Sequence, residues 1–333
     1  MTVRLYVVIP CYNEEEALPI TAGKLRDKMS ALITSGAISS DSRICFVNDG
    51  SKDQTWSVIK RLHSDDALFS GINLTRNRGH QNALLAGLMT VKDRCDVTIS
   101  MDADLQDDID AIDAILAKNA EGFDIVYGVR SSRKKDSAFK RSTATTYYRF
   151  LARLGVESVY NHADYRLMSR RALDGLEQFH EVNLFLRGMV PMVGFPSTTV
   201  EYVRGERVAG ESKYPLSKMI ALAIEGVTSL SVKPIRFITN VGIAVSLIAL
   251  IVAVVFVIQF FVGMTVPGWA STVVSIWILG GIQLFAIGII GEYIGKIYLE
   301  TKARPRFLVQ DVLDDTPPTP PSVVGEGRGA GDA

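Results

Sequence analysis

Between Phe237 and Gly291 the chain carries no Asp, Glu, Lys or Arg. That is 55 consecutive residues, more than the core helix of a soluble domain sustains and enough for two membrane crossings of about 20 residues each. The first span reads "FITNVGIAVSLIALIVAVVFVIQFFV" and the second "ASTVVSIWILGGIQLFAIGIIGEYIGKIY", separated by the turn residues of "GMTVPGW" with Trp269 suited to an interface. A buried helical hairpin in a soluble protein is the competing reading. Lys233 and Arg236 precede the hairpin, and Lys296, Lys302, Arg304 and Arg306 lie at or beyond its far end. The connecting loop is uncharged, so the positive-inside rule places both ends and the large N-terminal region in the cytoplasm, at an inner or plasma membrane.

The rest of the composition narrows the classes. Lys+Arg and Asp+Glu number 36 each, for a formal net charge of zero, which gives no sign of a nucleic-acid partner. Cys11, Cys45 and Cys95 are odd in number and widely spaced, so neither a disulfide framework nor a zinc site is expected, and reduced buried thiols fit a reducing compartment. The opening "MTVRLYVVIP" has no basic start or cleavage site, and no signal peptide is expected. From Asp311 the tail is rich in Pro, Gly and Asp and is expected to be disordered.

Residues 1 to about 130 alternate apolar runs with helical patterns. "RLYVVIP", "RICFVND", "GINLT", "DVTISM" and "DIVYGV" read as strands; helices are predicted over about Glu15–Ala31, Gln54–Leu62, Gln81–Val91 and Ile109–Asn119. Such alternation means a mostly parallel α/β sheet, whose ligands bind beyond the carboxyl ends of the strands. The polar clusters stand there: "PCYNEEE", "NDGSKDQT", "RNRGHQN", "DADLQDD" and "GVRSSRKK". No dinucleotide glycine fingerprint and no P-loop occurs. Further on, "KRSTATTYYRFLARLGV" and "YPLSKMIALAIEGVTSLSVKP" read as helices with an apolar side, to lie on the sheet or on a membrane surface.

The loops carry distinct chemistry. Asp102 and Asp104 alternate at a strand end, so both carboxylates can face one ligand, and Gln106 is in phase with them. Hard oxygen donors of this kind suit Mg²⁺ or Mn²⁺ together with a substrate phosphate; a solvated acidic turn is the plainer alternative. Asp107, Asp108 and Asp110 are expected at the start of the next helix, where negative charge is favoured. Asp49 can accept hydrogen bonds from a nucleobase or ribose, with Ser51 or Asp53 capping the helix at Gln54. Pro10, Tyr12 and Glu14 end the first strand, Tyr12 able to stack on a base and Glu14 to bind a ribose hydroxyl; Glu15 and Glu16 are expected only to favour a helix start. His80 reads as a helix-start or sugar-contact residue.

With these residues in view, "VIPCYNEEE", "VNDGSKDQT", "RNRGHQNALLAGL", "MDADLQDD", "DYRLMSRRAL", "FLRGMV" and "RVAGESKYPLSKM" resemble successive motifs of family 2 glycosyltransferases with the GT-A fold. The likeness covers about residues 3 to 305. The subgroup resembled is the polyprenyl-phosphate glycosyltransferases, which includes dolichol-phosphate mannose synthases and bactoprenol glucosyltransferases. Two departures stand out. Asn48 replaces the first carboxylate of an Asp-Asp-Gly-Ser motif, and "HADYRLM" replaces Asp-x-Phe-Arg-Leu-Met.

The resemblance implies inverting transfer of a sugar from a nucleoside-diphosphate sugar to a membrane polyprenyl phosphate. UDP-glucose is the first donor expected and GDP-mannose the second; a non-catalytic sugar-nucleotide-binding scaffold is the remaining alternative. On this reading Asp102, Asp104, Asp164 and Arg130 form the catalytic group, and Asp104 and Gln106 hold the metal, with Asp102 as a further candidate ligand. Pro10, Tyr12, Glu14, Val47, Asp49, Asp102 and Ala103 form the nucleotide pocket. Arg130, Arg166, Arg207 and Lys213 bind phosphate, and Asp164 and Arg166 orient substrate. The family also implies a homotetramer. The expected organisation is a catalytic domain over 1–211, a juxtamembrane amphipathic helix over 212–234, two transmembrane helices over 235–300 and a tail over 301–333, disordered from about 311.

Overall fold

Strand β1 (Leu5–Cys11) is buried at every position, as expected of a strand covered on both faces. In the computed structural model, which describes residues 2–130, 162–203, 233–262 and 268–318, it lies in the middle of an eight-stranded sheet. The elements follow as α1 (Leu18–Thr34), β2 (Arg43–Asn48), α2 (Thr55–Asp65), β3 (Phe69–Leu74), α3 (His80–Val91), β4 (Val97–Ser100), α4 (Ala111–Ala120) and β5 (Ile125–Arg130). Then come β6 (His162–Ser169), α5 (Arg170–Glu177), α6 (Leu186–Met192), β7 (Ser197–Tyr202), α7 (Lys233–Phe261), α8 (Trp269–Lys302) and β8 (Val309–Leu313). The strand order is β7-β5-β6-β4-β1-β2-β3-β8. β1 runs parallel to β2 and β4, β2 to β3, and β5 to β7. β6 runs against both β4 and β5, and β8 against β3.

Alternate side chains of β1 feed two cores. Leu5, Val7 and Ile9 pack with Leu18, Leu25 and Met29 of α1 and Ile112 and Ile115 of α4. Tyr6 and Val8 pack with Ala83, Leu84 and Leu88 of α3, Leu173 of α5 and Met189 of α6. Contact on this second face is close: a Cβ on Gly87 would stand 2.5 Å from Val8 and 2.6 Å from Val47. Cys11, Cys45 and Cys95 are free and buried.

α7 and α8 contain 29 and 34 residues, or about 44 and 51 Å at 1.5 Å per residue, longer than a hydrocarbon core of about 30 Å. Their most apolar windows, Ile235–Val252 and Ile278–Lys302, have mean hydropathies of 2.2 and 1.6 and bury none of their residues inside the protein. Large apolar side chains such as Phe237, Leu250, Leu284 and Phe285 are more than 60% exposed. By length and composition both helices are apolar enough to cross a membrane. α8 runs to Lys302 and ends on Ala303, whose φ is +45°.

The tail departs from expectation. The segment from Asp311 on, expected to be disordered, starts inside β8, and the structure describes it as far as residue 318. Val309–Leu313 fills the open edge of β3, and the chain is then strapped across the far end of the sheet. Arg94 donates to the carbonyls of Asp314 and Thr316, Arg4 donates to that of Pro317, and Tyr6 donates its hydroxyl to Asp314. Of the acidic residues in this tail, Asp314 also places its carboxylate 3.5 Å from Arg94. The sheet therefore draws on residues from both sides of the apolar hairpin. The two segments read as surface helices, 140–156 and most of 214–234, lie outside the described residues.

Candidate functional site

The loops after β1, β2, β3 and β4 meet along one edge, tied together by their own polar groups. Asp49, 2% exposed, accepts the backbone N–H groups of Arg78 at 2.7 Å and Gly79 at 2.8 Å, clamping the third loop to the second. Burial raises its pKa, and the two backbone hydrogen bonds oppose that rise. Gly50 makes this approach possible: its φ is +61°, and a Cβ would lie 2.4 Å from the backbone nitrogen of Asn77. Asn48 explains one motif departure. Its amide donates to Asn73 Oδ1 at 2.7 Å, a bond that an ionised aspartate could not give. Asn73 in turn donates to Asp311 at 3.0 Å, so the chain of amides reaches β8.

The first loop is bound to the second in the same way. Asn13, at φ +55°, donates its N–H to Ser51 and accepts from Lys52, and the Glu14 N–H donates to Thr55. α1 starts at Leu18, so the acidic run lies in the loop. Glu15 accepts the N–H of Gln54 at the start of α2, a different helix from the one it was expected to favour. Asp53 accepts the N–H and hydroxyl of Thr55 at the start of α2, while Gln54, at the N-cap position, makes no side-chain cap bond. Tyr12 is 41% exposed, a ring available to a planar ligand. Glu14 is half-buried, whereas Pro10, Val47 and Ala103 are buried and can offer a ligand only a wall or a backbone group.

Asp102 and Asp104 follow β4. Ala103 between them anchors the loop to α1 by accepting the Thr21 hydroxyl at 2.8 Å. Leu105 has φ +56°, a conformation that costs a non-glycine residue about 1–3 kcal/mol and that clusters at functional sites. Asp104 accepts the N–H of Gln106 at 3.1 Å across this turn. Burial pushes the Asp102 carboxyl up to about 6; His80 opposes the shift, while Asp107, Asp164 and Asp104 reinforce it. Burial is the larger cause, and the nearby carboxylates add to it. Among the described residues no three carboxylate or imidazole groups already converge as a metal site. Two carboxylates and an amide oxygen nevertheless fit Mg²⁺ or Mn²⁺, which take the rest of their ligands from water and substrate.

Asp107 departs from expectation. Expected at a helix start, it instead lies four residues before α4 and is 2% exposed. It accepts the Tyr202 hydroxyl at 2.5 Å and lies 3.8 Å from Arg130. α4 begins three residues beyond Asp108, at Ala111, and Asp110 pairs with Lys28.

Asp164, 7% exposed, enters the edge from antiparallel β6. It pairs with Arg166 at 2.7 Å and with Arg187 of α6 at 3.0 Å, and lies 3.5 Å from His80 Nε2. Burial alone would raise its pKa, but His80, Arg166 and Arg187 outweigh burial and hold it well below the usual carboxylate range. His80 opens α3 and lies 3.5 Å from both Asp102 and Asp164. Arg166, expected to bind phosphate, is 1% exposed and serves to hold Asp164. Arg187, 42% exposed at its side chain, takes the accessible side of the same carboxylate. Sequence reading gave no role to Arg187 or Tyr202; "FLRGMV" carried the first without marking it. Arg207 and Lys213 lie outside the described residues.

α8 reaches this edge as well. Glu300 in its last turn accepts the N–H groups of Val182 at 2.8 Å and Asn183 at 2.7 Å, just before α6. Leu186 at the start of α6 donates its N–H to Gln81 at 2.8 Å, next to His80.

A polar edge of this construction accompanies a family match: the model of glycosyl transferase family 2 matches residues 6–176. The chain belongs to glycosyltransferase family 2. The Bacillus subtilis glycosyltransferase YkoT is 50% identical over 305 residues, covering 92% of this chain and 90% of that protein. The bactoprenol glucosyl transferase of Shigella phage SfX is 41% identical over 309 residues, 92% of this chain and 99% of the relative. The Escherichia coli prophage bactoprenol glucosyl transferase homolog is 39% identical over 311 residues, 93% and 99% of the two chains. Among solved structures, the Mycobacterium tuberculosis glucosyl-3-phosphoglycerate synthase in complex with Mn²⁺, UDP and phosphoglyceric acid is 17% identical with a TM-score of 0.43, over 68% of this chain and 77% of that one. This glycosyltransferase carries the mostly parallel mixed sheet of GT-A type, with two candidate membrane helices between β7 and β8.

Proposed function

We propose that this glycosyltransferase moves a sugar from a nucleoside-diphosphate sugar, UDP-glucose in the first instance, to a polyprenyl phosphate such as undecaprenyl phosphate, inverting the sugar's anomeric centre. The observation that carries this reading is the identity of 39–41% to bactoprenol glucosyl transferases over more than 90% of both chains, apolar hairpin included. The exposed apolar surface of α7 and α8 supports two membrane crossings, and the flanking Lys and Arg residues support a cytoplasmic catalytic domain.

The residues divide the work. Tyr12, Glu14 and Asp49 line the nucleotide side with Pro10, Val47 and Ala103 as its wall. Asp104 and Gln106, joined by Asp102, are the donors for Mg²⁺ or Mn²⁺, whose charge would offset that of the departing diphosphate. Arg130 binds phosphate, with Arg207 and Lys213 as further cations. Asp164 is fixed by Arg166 and Arg187 and presents an ionised carboxylate next to His80. The acceptor needs no strong base, because a phosphate monoester is already largely dianionic near neutral pH, its second pKa being about 6. Its oxygen forms the new bond to the anomeric carbon as the bond to the nucleoside diphosphate breaks.

The test is a donor panel. Membranes containing the full chain are incubated with labelled UDP-glucose, GDP-mannose and other common sugar nucleotides plus undecaprenyl phosphate. An organic-soluble, acid-labile product is expected from UDP-glucose, and its absence with every donor would overturn the reading. Asp104→Ala is expected to abolish turnover with an unchanged thermal midpoint; activity of that variant without added metal would remove the metal assignment.

A further inference from the structure

Tyr202, at the end of β7, is 3% exposed and stands opposite Arg130 in the parallel register of β5 and β7. Its ring packs edge-on against Tyr165, with centroids 5.3 Å apart at 87°. Its hydroxyl donates to Asp107 Oδ1 at 2.5 Å and accepts from Arg130 Nε at 3.3 Å. A phenol has one proton and more than one lone pair, so it makes both bonds at once. Arg130 Nη2 lies 3.8 Å from Asp107 Oδ1, short of a direct hydrogen bond but within range of attraction. Among the described residues the other oxygen, Asp107 Oδ2, is buried and has no hydrogen-bond partner. A buried, underfilled carboxylate draws a neighbouring guanidinium strongly. The Tyr202 hydroxyl occupies the near oxygen and holds Nε, and so opposes collapse of Arg130 onto Asp107.

We infer that Tyr202 is a positioning residue: it holds Arg130 off Asp107 and fixes its guanidinium for a substrate phosphate. This rests on Arg130 being a phosphate ligand, as proposed above. Tyr202→Phe keeps the ring and its packing and removes only the hydroxyl. With the full chain in detergent, the apparent KM for polyprenyl phosphate is expected to rise about tenfold with kcat within about twofold, the pattern of a lost binding contact. Adding Asp107→Asn removes the charge that draws the guanidinium away. The double variant should return that KM to within about threefold of the parent, a rescue that a purely structural tyrosine would not show. If the rise and rescue fall on the KM for the nucleotide sugar instead, the same role holds toward the donor diphosphate. Tyr202→Phe without effect on either KM, or a double variant worse than the single one, overturns the inference. Arg130→Ala separates the two levels. If it changes neither KM, the phosphate reading of Arg130 fails; if it raises one and Tyr202→Phe does not, only the positioning role fails.

Discussion

Glu300→Ala tests whether the second apolar helix is mechanically joined to the candidate site. The Glu300 carboxylate accepts two backbone N–H groups, from Val182 at 2.8 Å and Asn183 at 2.7 Å. Hydrogen bonds to a charged group contribute about 1.5–3 kcal/mol each when buried. All three residues are only half-buried, so the pair together is worth about 2 kcal/mol, a factor of roughly 30 in a local opening equilibrium. The assay is amide hydrogen exchange on the full chain in detergent micelles. The Ala variant should exchange roughly 30-fold faster at Val182 and Asn183, while β1 and β2 stay protected. Glu300→Gln keeps one acceptor oxygen and should fall between. Because the segment continues into Leu186, bound to Gln81, and Arg187, bound to Asp164, kcat should fall several-fold as well. Unchanged exchange at the two amides would refute the argument, and a uniform rise across the sheet would replace local unlatching with global destabilisation.

Three more outcomes are expected. Asp164→Ala strands the buried Arg166 guanidinium and should cost about 3–5 kcal/mol. In Asp164→Asn the loss depends on pH. An acid with a depressed folded pKa stabilises above its unfolded value of about 3.9 and stops doing so as pH falls through the folded one. The thermal-midpoint gap to the parent should therefore be full at pH 7 and shrink below about pH 4, and a gap independent of pH would contradict the pairing. Asp102 has the opposite sign: with its pKa raised to about 6, the ionised form is the penalised one, so the metal-free chain loses stability as pH rises from about 4 through 6. Millimolar Mg²⁺ or Mn²⁺ should then raise the thermal midpoint more at pH 7 than at pH 5, where protons compete for the ligand, and equal shifts would count against Asp102 as a donor. Gly50→Ala places a methyl 2.4 Å from the Asn77 nitrogen at φ +61° and should cost about 2 kcal/mol or more in a thermal melt; a neutral substitution would mean the second and third loops are not clamped as described.

The legible part of the fold was the part with a short period. β1 to β5 and the helices between them show apolar runs or helical spacing long enough to read, and their positions match within a few residues. β6, "HADYRLMS", did not, because its alternate positions carry Asp164 and Arg166, an ion pair made with its own strand and with α6 rather than an apolar face. β8 is five residues inside an acidic, proline-rich tail and becomes a strand only because β3 offers an edge. At the site, the acidic loop was visible as a composition, but its inner partition was not. Asp107 differs from Asp108 only through Tyr202 and Arg130, which lie 95 and 23 residues away, and no local spacing marks such a pairing. The same holds for Arg166, whose charge suggested a ligand until its burial was known.

The place of β8 in the chain also sets an order of assembly. Its partner β3 ends at Leu74, and β8 starts at Val309, after both apolar helices. A ribosome adding about 5–20 residues per second takes roughly 10–50 s to cover that interval. Through that time the β3 edge presents unpaired backbone groups of the kind that recruit foreign strands. Completion of the sheet thus waits on synthesis of the hairpin.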